Sequence, residues 1–110
     1  MAATLMYVTT ETTDEALRIG RQLEEERLAA CANVIPGTTA VYWWEGAVQE
    51  GAEAILVVKT RADLVDAATA RIKALHSYSC PCVVAFAVAG GNRDFLDWIA
   101  RETVQHLDLK

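Results

Sequence analysis

Cys80-Pro81-Cys82 places two thiols one residue apart, just downstream of His76-Ser77-Tyr78-Ser79. In an extended segment, side chains two apart point the same way, so both thiols face one side. Thiolates are soft ligands and imidazole is borderline, so His76, Cys80 and Cys82 together suit copper or zinc. A single Cys-x-Cys is far less specific than paired Cys-x-x-Cys motifs, and two small buried apolar residues read the same way. A Cys80–Cys82 disulfide is disfavoured, because extended i,i+2 Cα atoms lie about 6.5–7 Å apart, at the edge of bridging geometry. His76 reads as a metal ligand, a switchable hydrogen-bonding group, or an ordinary loop histidine. Tyr78 offers a phenolic donor to a bound ligand, or packs on a neighbouring subunit.

The familiar catalytic patterns are missing. The chain has no Walker A loop, Gly-x-Gly-x-x-Gly, His-Glu-x-x-His or Gly-x-Ser-x-Gly. Gly90-Gly91-Asn92 is as much a strand end as an anion cradle at a helix N-terminus. The residues therefore point away from an enzyme. A formal charge of −5 argues against nucleic-acid binding. No apolar run reaches the ~20 residues of a membrane span, and the N-terminus lacks a secretion signal. Three cysteines, an odd number, fit a reducing compartment. The expected location is cytoplasmic, with no membrane contact.

The elements that must position these side chains follow from periodicity. Thr4 to Thr10 reads as a strand, and Thr12 with Glu15 as a capping box opening a helix to about Leu28. In that helix Ala16, Ile19, Leu23 and Arg27 lie along one side. A second strand spans Ala32 to Trp44, broken by Pro36-Gly37, where a bulge would swap the two faces. Glu45 to Gly51 forms the hairpin turn, and Glu53 to Thr60 the third strand. Asp63 caps a second helix bearing Leu64, Ala68, Ile72 and Leu75. Cys82 to Val88 is the fourth strand, and Asn92 or Asp94 caps a last helix with Phe95, Leu96, Ile99 and Leu107 on its apolar side. The order β-α-β-β-α-β-α gives one α+β domain over residues 1–110. It is a ferredoxin-like sandwich with an extra C-terminal helix.

Such a sandwich leaves one sheet face bare. Tyr42-Trp43-Trp44 alternates across its strand, so large aromatics lie on both faces. Ile55-Leu56-Val57-Val58 and Val83 to Val88 are likewise apolar on both faces. An apolar sheet face of this size is normally an interface, so the chain is expected to self-associate. Strand directions put Thr9, Thr10, the Tyr42–Glu50 hairpin and the His76–Cys80 loop at one end. Lys59, Arg61, Cys31 and Asn33 fall at the other, which excludes a three-cysteine site within one subunit.

Glu26-Arg27-Leu28-Ala29-Ala30-Cys31-Ala32-Asn33-Val34-Ile35-Pro36-Gly37, Tyr42-Trp43-Trp44-Glu45-Gly46, Lys59-Thr60-Arg61, Leu75-His76, Tyr78 and Gly91-Asn92 follow in order. In these blocks the chain resembles the CutA divalent-cation tolerance proteins from about residue 4 to residue 101. The resemblance implies a compact homotrimer similar to PII-type signalling proteins, with ligands held in clefts between subunits. It implies a response to divalent metals, copper above all, without established enzymatic activity, and leaves room for an unidentified protein partner. A histidine at the position of His76 is associated with copper in that family. Tyr78 and Trp44 are the expected ligand-binding residues, with the aromatic hairpin completing the cleft from a neighbouring subunit. The alternative is a structural or signalling trimer whose effect on metal tolerance is indirect. Ser77, Ser79 and Cys82 depart from the family pattern, which has proline after the histidine and acidic or amide groups at the other two positions. Fewer carboxylates and more thiols would shift metal preference toward softer ions.

Overall fold

The computed structural model describes residues 2–104. Four strands, β1 (Ala3–Thr10), β2 (Cys31–Trp44), β3 (Ala47–Arg61) and β4 (Val83–Ala87), form one sheet in the order β2-β3-β1-β4. Every neighbouring pair is antiparallel. Helices α1 (Thr13–Glu25), α2 (Val65–Leu75) and α3 (Arg93–Glu102) follow β1, β3 and β4 respectively. The fold is thus α+β, with the expected element order.

Alternation along β1 sends Met6 and Val8 to one face, opposite Val58 and Leu56 of β3. These four meet Ala16, Ile19 and Leu23 of α1 and Ala68 and Ile72 of α2 in a closed core. Gly20 lets α1 approach the sheet: a Cβ there would lie 3.1 Å from Leu56 Cδ1 and 3.3 Å from Ala32 Cβ. Burying such side chains removes roughly 1.5–3 kcal/mol each from contact with water.

The opposite face carries Leu5, Tyr7, Ile55, Val57, Val84 and Phe86, by the same registers. Among the described residues no helix covers its middle, and Phe86 is 55% exposed. The extra helix closes one end of it. Lys59, which shares the parity of Ile55 and Val57, sets its ammonium 5.5 Å over the Phe95 ring of α3.

Beyond the Thr10–Ala54 pair, β2 and β3 continue without β1 as a two-stranded arm ending in the Trp44–Ala47 pair. The register shifts between Ile35 and Thr38, at Pro36-Gly37. The shift carries Tyr42 and Trp44 onto the bare face and Trp43 onto the other, so the faces do swap at the bulge. Trp43 is 74% exposed, and Val41, Trp44 and Val48 are all more than half exposed.

Several boundaries differ from expectation. The hairpin turn is only Glu45-Gly46, both at positive φ (52° and 79°), and β3 begins at Ala47. Helix α1 stops at Glu25. Arg27 turns left-handed (φ 57°), its N–H bonding Glu24 O while Leu28 N–H reaches Leu23 O, a Schellman closure without glycine. Arg27 is therefore outside the helix. Asp63 does not cap α2: it lies in the single 3-10 turn Ala62–Leu64 and its carboxylate holds the buried Arg61 guanidinium at 2.9–3.0 Å. Asn92 rather than Asp94 caps α3, accepting Asp94 N–H at 3.0 Å. Leu107 lies outside the described residues.

Candidate functional site at the arm end of the sheet

The loop after α2 passes the C-terminal end of β1 and the N-terminus of α1, and three side chains fix it there. Thr12 caps α1, its hydroxyl accepting the Glu15 N–H at 3.1 Å. Glu15 reaches back past the cap to accept the Glu11 N–H at 3.2 Å. The same carboxylate accepts the Ser77 N–H at 2.7 Å and the Ser77 hydroxyl at 3.0 Å. Burial by itself would push this carboxyl up. The two bonds from Ser77, the Glu11 amide and the nearby His76 outweigh it, and the group sits below the usual carboxylate range.

His76 is fully enclosed, with a side-chain exposure of 0%. Its Nε2 lies 2.8 Å from the carbonyl oxygen of Thr9, and its Nδ1 accepts the Tyr78 N–H at 3.0 Å. A nitrogen that accepts an amide proton carries none, so Nε2–H donates to Thr9 and the tautomer is assigned by its partners. Both nitrogens are thereby engaged. In this arrangement the ring braces the loop between β1 and the Tyr78 amide.

Tyr78 stacks at a tilt on His76, with ring centroids 4.9 Å apart. Its hydroxyl donates to Glu53 Oε2 at 2.8 Å. Burial, then the Glu53 carboxylate, push the phenol well above its ordinary range. Glu53 shares the parity of Ile55 and Val57, so this pair lies at the foot of the arm on the bare-face side. Trp44 is elsewhere. Its β3 partner Ala47 is six residues from Glu53, or about 20 Å along the strand. Tyr78 and Trp44 of one chain do not line one cleft.

Cys80 and Cys82 are both free and exposed, and the segment 77–80 bends rather than running extended. The alternation of β4, continued back one residue from Val83, puts Cys82 on the face of Val84 and Phe86. Cys31 is at the far end, paired across the strands with Lys59. Among the described residues no three His, Cys, Asp or Glu side chains gather as a metal-binding group. Two exposed thiols are what this loop offers. A tetrahedral zinc centre, which takes four protein ligands in structural sites, would need more.

A shallow depression of about 360 Å³ beside the loop is lined by Glu11, Thr12, Asp14, Glu15, Arg18 and Ser77. Sequence reasoning missed the loop-holding role of Glu15 and the pairing of Glu53 with Tyr78. The capping-box glutamate was visible, but its partner Ser77 is 62 residues away and only tertiary folding reveals it. No described helix is long and apolar enough to cross a membrane.

Comparison with known proteins completes the picture. The family model for the CutA1 divalent ion tolerance protein matches residues 4–102. The chain is 43% identical over 99 residues to the chloroplastic CutA 1 protein of Oryza sativa, covering 90% of this chain but 56% of that longer protein. It is 42% identical over 99 residues to the divalent-cation tolerance protein CutA of Thermus thermophilus, covering 90% of this chain and 96% of that one. The crystal structure of CutA1 from Oryza sativa superposes with a TM-score of 0.94 at 40% identity, over 96% of this chain and 97% of that one. The chain belongs to the CutA1 divalent ion tolerance family.

Proposed function

We propose that this chain is the subunit of a cytoplasmic homotrimer, built on a ferredoxin-like sandwich, that supports tolerance of divalent cations. It does so by holding a metal ion or small ligand where subunits meet, and it performs no catalysis. The observation that carries this reading is the loop 76–82, clamped by Glu15, His76 and Tyr78 while Cys80 and Cys82 stay exposed. Two thiolates suit a soft ion, so copper as Cu(I) is the favoured cargo, with zinc requiring donors from another subunit. Trp44 of a neighbour, not of the same chain, would complete a cleft with Tyr78. Self-association is supported by the arm, since a two-stranded ribbon is marginal in water unless something packs on it.

Equilibrating the reduced protein with Cu(I) and Zn(II), then measuring retained metal, tests the site. Wild type is expected to hold copper that the Cys80→Ser/Cys82→Ser double variant loses. Equal retention by both ends the thiol reading. The small number of clustered donors favours a second reading, a structural or signalling trimer whose effect on metals is indirect. A stable trimer that retains neither metal would establish it.

A further inference from the structure

At the foot of the arm, the bare-face side carries residues too small to fill it. Ala40 pairs with Gly51 there, with the Thr38–Glu53 pair on the side of the sheet and the Tyr42–Gln49 pair toward the tip. Tyr42 leans back over this floor: a Cβ on Gly51 would lie 3.4 Å from its hydroxyl oxygen. The backbone at Gly51 is not left-handed, so what its missing side chain supplies is room for something to approach. Ala40, Gly51 and Glu53 are half-buried on this side, while Val41, Glu50 and Ala52 on the other are exposed. The notch is therefore sheltered on one side of the arm alone.

One end of the notch is polar. The Tyr78 hydroxyl donates to Glu53 Oε2, and no donor among the described residues bonds Oε1. Glu11 and Glu15 add to the negative field around that hydroxyl, and Arg18, 3.9 Å from Glu15, offsets only part of it. A carboxylate oxygen between two phenol rings, over an apolar floor, is complementary to a small cation. A hard divalent ion takes several oxygen ligands, which one carboxylate and two neutral phenols do not provide. Aromatic faces attract an organic cation instead. We propose that the foot of the arm is a binding site for a primary alkylammonium ion. Its ammonium group donates to Glu53 Oε1, and its first methylenes lie over Ala40 and Gly51 against the Tyr42 ring. Tyr78 is a positioning residue, holding the Glu53 carboxylate in place. The inference rests on the reading above that Tyr78 lines a ligand-holding cleft and names the class of ligand; it does not use the thiols.

The test titrates n-butylammonium chloride into the assembled, reduced, 15N-labelled protein, with sodium chloride at matched ionic strength as the blank. Saturable shifts are expected at the amides of Ala40, Gly51 and Glu53, and none from sodium butyrate. Glu53→Gln keeps an acceptor for the Tyr78 hydroxyl but removes the charge. It should weaken binding about tenfold or more, the worth of a hydrogen bond to a charged group. Gly51→Ala keeps every charge, fills the floor of the notch and should also weaken binding. Glu50→Gln, which removes the same charge from the other side of the arm, should leave binding unchanged. Equal weakening by Glu50→Gln and Glu53→Gln, or a Gly51→Ala protein that binds as wild type does, would overturn the site. Magnesium chloride that shifts the same amides where butylammonium does not would overturn the organic cation in favour of a metal. Copper retention is measured on the same preparations. Retained copper without ammonium binding refutes this site alone, and ammonium binding without retained copper supports it while refuting the thiol site.

Discussion

The two faces of the sheet are made by the same four strands and end in different surroundings. Under α1 and α2, Met6, Val8, Leu56 and Val58 are sealed from solvent. On the other face Val84 and Phe86 stand about half exposed, and the face runs on into the arm past Tyr42 and Trp44. Apolar composition alone does not separate these faces, since Val57 and Val58 are chemically the same. What separates them is whether the chain supplies its own cover. The helix-covered face is where the fold is stabilised, and the bare face is the one that the described helices leave open.

The largest difference should come from emptying the sealed face. Leu56→Ala removes a fully buried side chain from between α1 and the sheet and is expected to cost about 2–5 kcal/mol in denaturant unfolding. Phe86→Asp, on the bare face, should leave the circular dichroism of the subunit intact and instead abolish self-association in sedimentation. A Phe86→Asp protein that unfolds as readily as Leu56→Ala, or one that still self-associates as the unaltered chain does, would break the comparison.

A smaller effect belongs to Glu15, where the helix-covered side meets the loop. Its carboxyl is held below the ordinary range, so its stabilisation is present above the unfolded carboxyl range near pH 4 and is lost as pH falls through the folded value. Glu15→Gln should therefore flatten the acid limb of the stability curve below about pH 4, as read by thermal unfolding at stepped pH. An unchanged limb would mean Ser77 and Glu11 do not stabilise the charged form.

The smallest effect lies at the tip of the arm. Glu45 adopts φ 52°, a conformation that suits asparagine and glycine better than a longer side chain. Glu45→Asn should stabilise the protein by up to about 1 kcal/mol in thermal unfolding, provided no neighbour uses the carboxylate. A loss instead would show that Glu45 is itself part of an interface, and would sharpen the view that the arm is finished by another chain.

Much of this was legible from local pattern. The Thr12 cap, the alternation of β1, the hairpin and the break at Pro36-Gly37 depend on neighbours a few residues away. The end of α1 was not, because Arg27 takes a left-handed turn usually marked by glycine, and it stays there tied to Glu102 and Val104. Asp63 looked like a cap because its competing partner, the buried Arg61, gave no sign of being buried. The site was the least legible part. The partner that orients His76 is Thr9, 67 residues away, and the one that orients Tyr78 is Glu53 across the sheet.

The one-residue register shift at Pro36-Gly37 gives the arm a reading frame of two. Upstream, odd-numbered residues of β2 face the side opposite the helices; downstream, even-numbered ones do. Losing or gaining a single residue at this point would therefore exchange Trp43 with its neighbours Tyr42 and Trp44 on every surface the arm presents. Length changes there can be absorbed only in pairs. A chain engineered with an odd change should keep its helix-covered core and lose its fit to whatever the arm meets.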